Sequence, residues 1–347
     1  MPRPGTKATL VTVARQANVS VATASKVLNG RSGVGPATRD RVQQVMTDLG
    51  YRPTTARVTL PGLQTKRIAV AFSGFDQAMY SGQMLHSILA NARDDQLQIM
   101  VSMEDPSEPL PDNRANAWAR ALLGGGCQGA VFITCELTRA QLDAINRIDL
   151  PVVAVDSYSL LTVGTVTVGA ANFTGGMAVA QHLIELGHTR IGVISGEMRS
   201  TFAAERAHGS LAAMLDAALP NPQELMREGH FSYESGLDLG GELLDLPQPP
   251  TAIIANCDVC AWGVMQAARR RGLRVPEDLS VTGFDGTRLA GWSTPPLTTV
   301  VQPLPEIARM ALRVITNMID GHPPDSPRIQ LATRLVVGGT TAPPAKR

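Results

Sequence analysis

With 347 residues, 44% of them apolar, a formal charge of +1 and a mean hydropathy of +0.02, the chain has the composition of a soluble globular protein of two or three domains. It contains no run of about eighteen apolar residues to cross a membrane, and four cysteines in this length do not form a disulfide framework. The start, MPRPGTKATL, has basic residues with no apolar stretch behind them, so the expected location is the cytoplasm.

The near-neutral total conceals a division. Residues 1–60 hold nine Lys/Arg against Asp40 and Asp48, a net of +7, while the remainder holds 22 basic against 28 acidic residues, a net of −6. A small basic head on an acidic body points to a polyanion met by the head alone.

In the head, Leu10, Val13, Ala14 and Ala17 fall at helical spacing behind a capping Thr9. Asn18-Val19 breaks the pattern, and Ser20 is placed to cap a second helix over 21–29. Ala24, Val27 and Leu28 make its apolar face, which leaves Val21, Ala22, Ser25, Lys26 and Asn29 outside. A third helix begins at Gly35-Pro36, with Val42, Val45, Met46 and Leu49 as its core stripe and Gly50 as its stop. Two short helices about a tight turn, braced by a third, make a helix-turn-helix. The second helix is smooth on its wet side, as a helix must be to lie deep in the major groove. Val21 and Ala22 suit thymine methyls, and Lys26 suits guanine acceptors. Ser20, Thr23, Ser25 and Asn29 offer short hydrogen bonds to phosphates.

The body alternates apolar runs with amphipathic segments. The predicted strands are 67–72, 98–103, 129–134, 152–156, 190–195, 251–256 and 279–284. This rhythm predicts parallel sheets covered by helices, divided at this length into two lobes with a cleft at the strands' carboxyl ends. Tyr80 and Asp156 fall on loop and strand-end positions near that cleft. Enzyme motifs are scarce: there is no G-x-S-x-G, H-E-x-x-H or G-x-x-x-x-G-K-[ST]. Cys257-Asp258-Val259-Cys260 has redox-like spacing where a strand leads into a helix, a place that favours thiolate. Without a second ligand cluster it is a weak redox or zinc signal, and neither metal nor cofactor is expected.

Residues 8–60 resemble the DNA-binding head of the lactose/galactose repressor family. The resemblance rests on Thr9, Val13-Ala14, Ala17, Val19-Ser20, the run Thr23-Ala24-Ser25-Lys26-Val27-Leu28-Asn29, and the block TRDRVQQVMTDLGYRP at 38–53. Ala24 stands where the family has Val, and Lys26 where it has Arg; lysine lacks the planar fork that grips guanine twice. With Thr9, Thr38, Tyr51 and Arg57, these residues make up the DNA-contacting set that the resemblance implies. It also implies a hinge at 54–60, whose leucine, here Leu60, wedges into the minor groove. Thr54, Thr55, Val58 and Thr59 are poor helix formers, so this hinge is expected to order only on DNA. A linker follows at 61–66.

The resemblance continues through LIELGHTRIGVISG (183–196), TAIIANCDVCAWG (251–263), GLRVPEDLSVTGFDG (272–286) and PPLTTVVQP (295–303). It implies a fold of a small all-α helix-turn-helix head on a two-lobed α/β, periplasmic-binding-protein-like body. The first lobe is expected at 67–165 and 293–325, the second at 166–292 and 326–345. By the same resemblance Arg206 grips effector oxygens, Asp285 accepts from its polar groups and Phe231 stacks on its ring. Cys257-Asp258 stands where the family commonly has Asn-Asp. Asn172, Phe173 and Trp292 resemble a subgroup associated with plant-type oligosaccharides. The implied function is a repressor, homodimeric on a pseudo-palindromic double-stranded operator, governed by a small sugar or oligosaccharide. An exported sugar-binding protein would share the body but not the basic head. An enzyme on an α/β scaffold would need a nucleophile–base pair or a metal cluster that no motif supplies.

Overall fold

A computed structural model describes residues 10–28, 33–49, 65–73, 78–104, 112–157 and 165–345. Thr9, Asn29, Tyr51, Arg57 and Leu60 lie outside the described residues. The chain divides into two units, Met1–Gln64 and Thr65–Arg347.

The first unit contains α1 (Leu10–Gln16), α2 (Val21–Leu28) and α3 (Pro36–Asp48). Asn18, in the left-handed region at φ 52°, ends α1. Val19 N–H donates to Ala14 O and Asn18 N–H to Arg15 O, the paired closure that turns a chain sharply out of a helix. Ser20 Oγ then accepts Thr23 N–H at 3.0 Å and opens α2. Val13, Ala14, Ala17, Ala24, Val27 and Val42 are buried together, with Val45, Met46 and Leu49 packed against them. Arg41 Nε donates to Ala17 O at 3.1 Å, tying α3 to the freed carbonyl end of α1.

The second unit holds two six-stranded sheets. The first lobe runs β1 (Arg67–Ser73), α4 (Ala78–Asp94), β2 (Gln98–Glu104), α5 (Asp112–Gly124), β3 (Gly129–Ile133), α6 (Arg139–Arg147), β4 (Val152–Val155) and β5 (Val166–Ala170). The second runs α7 (Asn172–Glu185), β6 (Ile191–Ser195), α8 (Thr201–Asp216), β7 (Met226–Glu228), α9 (Tyr233–Leu244), β8 (Ala252–Ala255), α10 (Asp258–Arg270), β9 (Ser280–Asp285), α11 (Arg288–Trp292) and β10 (Thr298–Val301). The chain then returns as α12 (Leu304–Ile319) and β11 (Arg328–Leu331), and ends on β12 (Arg334–Val336). The strand orders are β11-β5-β4-β3-β1-β2 and β12-β10-β9-β8-β6-β7. Every pairing is parallel except β10 with β12.

This topology moves the expected lobe boundaries. β5 pairs with β4, and β11 with β5, so residues 166–170 and 328–331 belong to the first lobe. β10 pairs with β9, so residues 298–301 belong to the second. The crossings lie at 170–172, 301–304 and 331–334 rather than near 165, 293 and 325. A short strand's composition shows that it is a strand, not which sheet edge it joins.

One contact governs where α8 sits. A Cβ added at Gly176 of α7 would stand 2.1 Å from Arg206 O, and one at Gly209 of α8 would stand 2.0 Å from Phe173 O. The two helices therefore touch backbone to backbone, and glycine alone permits it. Gly209→Ala is expected to force them apart and destabilise the body by about 3 kcal/mol, measured by urea unfolding. An unchanged midpoint would show that the crossing can relax.

Candidate ligand cleft and helix-turn-helix surface

Between the lobes lies a cavity of about 150 Å³ at the carboxyl ends of the strands. Met79, Tyr80, Thr134 and Asp156 line it from the first lobe; Phe202, Arg206, Phe231, Cys257, Val259, Asp285 and Thr287 line it from the second. Thr134 and Asp156 directly follow β3 and β4, Cys257 lies two residues beyond β8, and Asp285 ends β9. This is where an α/β sheet presents functional groups.

Arg206 is the anchor, 6% exposed on α8. Its Nε donates to Asn172 Oδ1 at 2.9 Å, and its Nη1 donates to Asn256 O at 2.7 Å and lies 3.1 Å from Asp285 Oδ1. The guanidinium carbon stands 3.9 Å from the centre of the Phe284 ring. A guanidinium so held has lost its rotamer freedom before any ligand arrives. Asp285 is 7% exposed and adopts φ +104°, a conformation that L residues rarely take. Gln302 holds it from both sides: Nε2 donates to Asp285 Oδ1 at 2.7 Å, and Gln302 N–H to Asp285 O at 3.1 Å. Burial pushes the Asp285 carboxyl up to about 6, with Arg206 pulling it back. Across the cavity Tyr80 OH donates to Asp156 Oδ2. Burial raises the Asp156 carboxyl, and burial and then the Asp156 charge raise the Tyr80 phenol well above its usual range, so it remains a donor. The Phe202 and Phe231 rings, 5.3 Å apart and tilted by 37°, form an apolar wall.

Six expected residues thus meet at the cavity: Tyr80, Asp156, Arg206, Phe231, Cys257 and Asp285. Four do not. Asn172 lies behind Arg206, where its amide orients the guanidinium while donating to Ala170 O at 3.1 Å. Asp258 accepts Thr287 N–H at 2.6 Å, Thr287 Oγ1 at 2.8 Å and Thr299 Oγ1 at 2.5 Å; its carboxylate binds α10 to the start of α11 and to β10. Phe173 is 42% exposed outside the lining. Trp292 is 65% exposed and borders a separate groove with Tyr233 and Trp262. Met79, Thr134, Phe202, Val259 and Thr287 were not singled out from the sequence. Phe202 carried a signal, one turn before Arg206 on a helix that begins beside a strand end.

The C-x-x-C spacing does not yield reactive thiols. Cys257 and Cys260 are 2% and 0% exposed, and burial raises both, Cys260 to about 12. Apolar surroundings outweigh the helix N-terminus. Among the described residues no group of three or more His, Cys, Asp and Glu could hold a metal ion. No described helix is long and apolar enough to cross a membrane.

On the first unit, Val21 is 45% exposed, and Lys26 is exposed on the same helix. Ser25 and Thr23 are half-buried, and Thr38 lies in the first turn of α3, where backbone N–H groups are unpaired.

Residues 9–54 match the lacI family of bacterial regulatory proteins, and residues 180–341 match a periplasmic binding protein-like domain. The chain is 33% identical to the HTH-type transcriptional regulator DegA of Bacillus subtilis (strain 168), over 97% of this chain and 99% of that one. It is 31% identical to catabolite control protein A of Priestia megaterium, over 94% and 97%. A crystal structure of the Lac repressor dimer bound to operator and an anti-inducer superposes with a TM-score of 0.72 at 26% identity, covering 97% of this chain and 100% of that one. The transcriptional regulator CelR in complex with cellobiose gives a TM-score of 0.71 at 26% identity, covering 96% and 99%. With a helix-turn-helix head and a two-lobed body matched along nearly their whole length, the chain belongs to the lacI family of bacterial regulatory proteins and is a DNA-binding transcription regulator.

Proposed function

We propose that this regulator is a repressor, acting in the cytoplasm as a homodimer on a pseudo-palindromic operator, and that a small sugar or oligosaccharide in the interlobe cleft controls its hold on DNA. The observation that carries this reading is the Arg206–Asp285 pair, two buried charges at a cavity that both lobes close. A sugar offers hydroxyls to such a polar rim and C–H faces to aromatic walls. Relatives support it in outline: Lac repressor dimers bind operator, and CelR binds cellobiose.

Contacts that span the lobes give the effector something to act on. Arg199 Nη1 reaches Glu136 Oε2 at 2.6 Å, Thr201 Oγ1 donates to Ser157 O at 2.5 Å, and Arg328 of β11 pairs with Glu205 of α8. A ligand that favours one lobe arrangement over another shifts the population by its difference in affinity. A change at the crossings can thereby reach the head that precedes β1.

On the DNA side, Val21, Ala22 and Lys26 read bases, while Ser20, Thr23, Ser25 and Thr38, the last through the start of α3, fix phosphates. Thr9, Asn29, Tyr51, Arg57 and the Leu60 wedge complete the set. Lys26→Ala is expected to weaken operator binding by about 1–3 kcal/mol and relax preference at one base position. A uniform loss on every sequence would make Lys26 a phosphate contact.

The cleft reading is tested by a thermal-shift screen of mono- and oligosaccharides on the full chain, followed by operator release with each hit. A ligand at one hundred times its dissociation constant adds about 2.7 kcal/mol. A screen in which no sugar stabilises the protein or changes operator binding would overturn the reading.

A further inference from the structure

The chain enters the body at Thr65, directly after the unit that carries the helix-turn-helix. Its next residue is tied down: Lys66 Nζ pairs with Asp320 Oδ2 at 2.5 Å, and Lys66 O accepts Gln98 N–H at 2.9 Å. Asp320 is the C-cap residue of α12. Just before the other end of that helix stands Gln302, 3% exposed, with its Nε2 donating to Asp285 Oδ1 at 2.7 Å. The Gln302 carbonyl accepts Leu304 N–H at 2.9 Å, which fixes the turn into α12. One helix of the first lobe is thus joined at its start to a cavity carboxyl of the second lobe. At its end it is joined to the place where the chain of the head arrives.

The sixteen residues of α12 span about 24 Å. Leu304, Ile307, Ala311 and Ile315 are buried in one cluster with Ile68 and Val70 of β1, the strand that follows Lys66. The last turns have no slack: a Cβ added at Gly129, the first residue of β3, would stand 2.8 Å from Ile315 and 3.2 Å from Ile319. A close-packed interior transmits a displacement instead of absorbing it, so a shift at Gln302 reaches Asp320. The tie at that end is looser. Its side chains are 23% and 50% exposed for Lys66 and Asp320, and such a pair is worth a factor of about five at most.

Resting on the sugar reading above, we propose that Gln302 and the Lys66–Asp320 pair are positioning residues that link the cleft to the head through α12. A ligand that changes the hold on Asp285 acts through Gln302 on the start of the helix, and Asp320 passes the displacement to Lys66. None of the three residues lines the cavity. The pair therefore sets how far operator binding responds to a ligand, not how tightly the ligand is held.

The test uses the full chain, an operator that it selects from random-sequence DNA, and D-glucose, D-galactose, D-ribose and cellobiose as probes. Operator affinity is measured with and without each sugar, and sugar affinity by calorimetry. An active sugar is expected to change the operator affinity of the parent about fivefold to 150-fold. Asp320→Asn should keep the sugar affinity, the sugar-free operator affinity and the urea midpoint, yet shrink that response about threefold to fivefold. Lys66→Asp should shrink it too. Exchanging the charges, Lys66→Asp with Asp320→Lys, should restore it, a rescue that a merely structural role would not show. Gln302→Asn, too short to keep its bond to Asp285, should reduce the response most; if it fails to fold, the exposed pair carries the test. Parent-like responses in Asp320→Asn and Lys66→Asp, or a failed rescue, overturn the link while leaving the sugar reading intact. So does an Asp320→Asn variant that loses sugar affinity, since the residue would then act on the cleft itself. A sugar that binds the parent without changing operator affinity also overturns the link. If none of the sugars binds, the sugar reading falls, and this inference falls with it.

Discussion

Arg206→Ala is expected to bind operator as the parent protein does and to lose its response to the effector, with affinity in the cleft reduced by about 1.5–3 kcal/mol, or roughly tenfold to more than a hundredfold. The helix-turn-helix proposed to contact DNA lies in a separate unit from Arg206. The same substitution leaves the Asp285 carboxyl buried without its cation, which costs about 3–5 kcal/mol of stability at neutral pH. That loss has a definite pH dependence. Burial already lifts the Asp285 carboxyl to about 6 with Arg206 beside it, and removing the cation lifts it further. The unfolded aspartate, near 3.9, is common to parent and variant. Their difference therefore changes only between the parent's value of about 6 and the variant's higher one, where the variant alone holds the proton. The deficit is largest above the variant's raised value and shrinks as the solution is acidified toward about pH 6, below which both folded forms hold the proton. Thermal unfolding of parent and variant across this range, with operator titrations with and without effector, checks both parts. A deficit independent of pH would mean that Asp285 carries no charge in the parent.

Removing the head should abolish operator binding while leaving the cleft able to take ligand. Residues 1–60 carry a net of +7 and the rest of the chain a net of −6, so the body lacks the net positive charge that draws a protein to DNA. Each phosphate neutralised releases counterions, and a protein making six to ten such contacts loses about 10³–10⁵ in affinity between 50 and 200 mM salt. The full chain is expected to show that steep dependence. A fragment over 65–347, with both sheets and their cores intact, should show no affinity at either salt yet keep the thermal shift from effector. Operator binding retained by the fragment would move the DNA contact into the body.

The head was legible because its signals are local. Pro36 at the first position of α3, the Ser20 cap on Thr23, and the helical spacing of Ala24 and Val27 on α2 and of Val42, Val45 and Leu49 near α3 all act within a few residues of the chain, and the structure places each as read. Seven strands of the body were legible for the same reason, since a buried parallel strand announces itself as an apolar run. Arg206, Asp285 and Phe231 could be placed at one cavity because whole blocks of sequence resembled a family. Spacing alone gives no cause to join residues 206, 231 and 285.

The sequence by itself determined the division into a basic helical head and an acidic α/β body, the helix-turn-helix, and most strands with their order along the chain. Only the tertiary structure decided lobe membership. β5, β10, β11 and β12 are three to five residues each, and their sheet is chosen by long-range pairing that no short window encodes. It alone set Asp258 to binding α10 to β10, and placed Trp292 at a separate groove while admitting Phe202 and Thr134 to the cavity. The physical reason is common to all of these: periodicity records whether a side chain is buried, while the identity of what buries it is settled when distant segments pack.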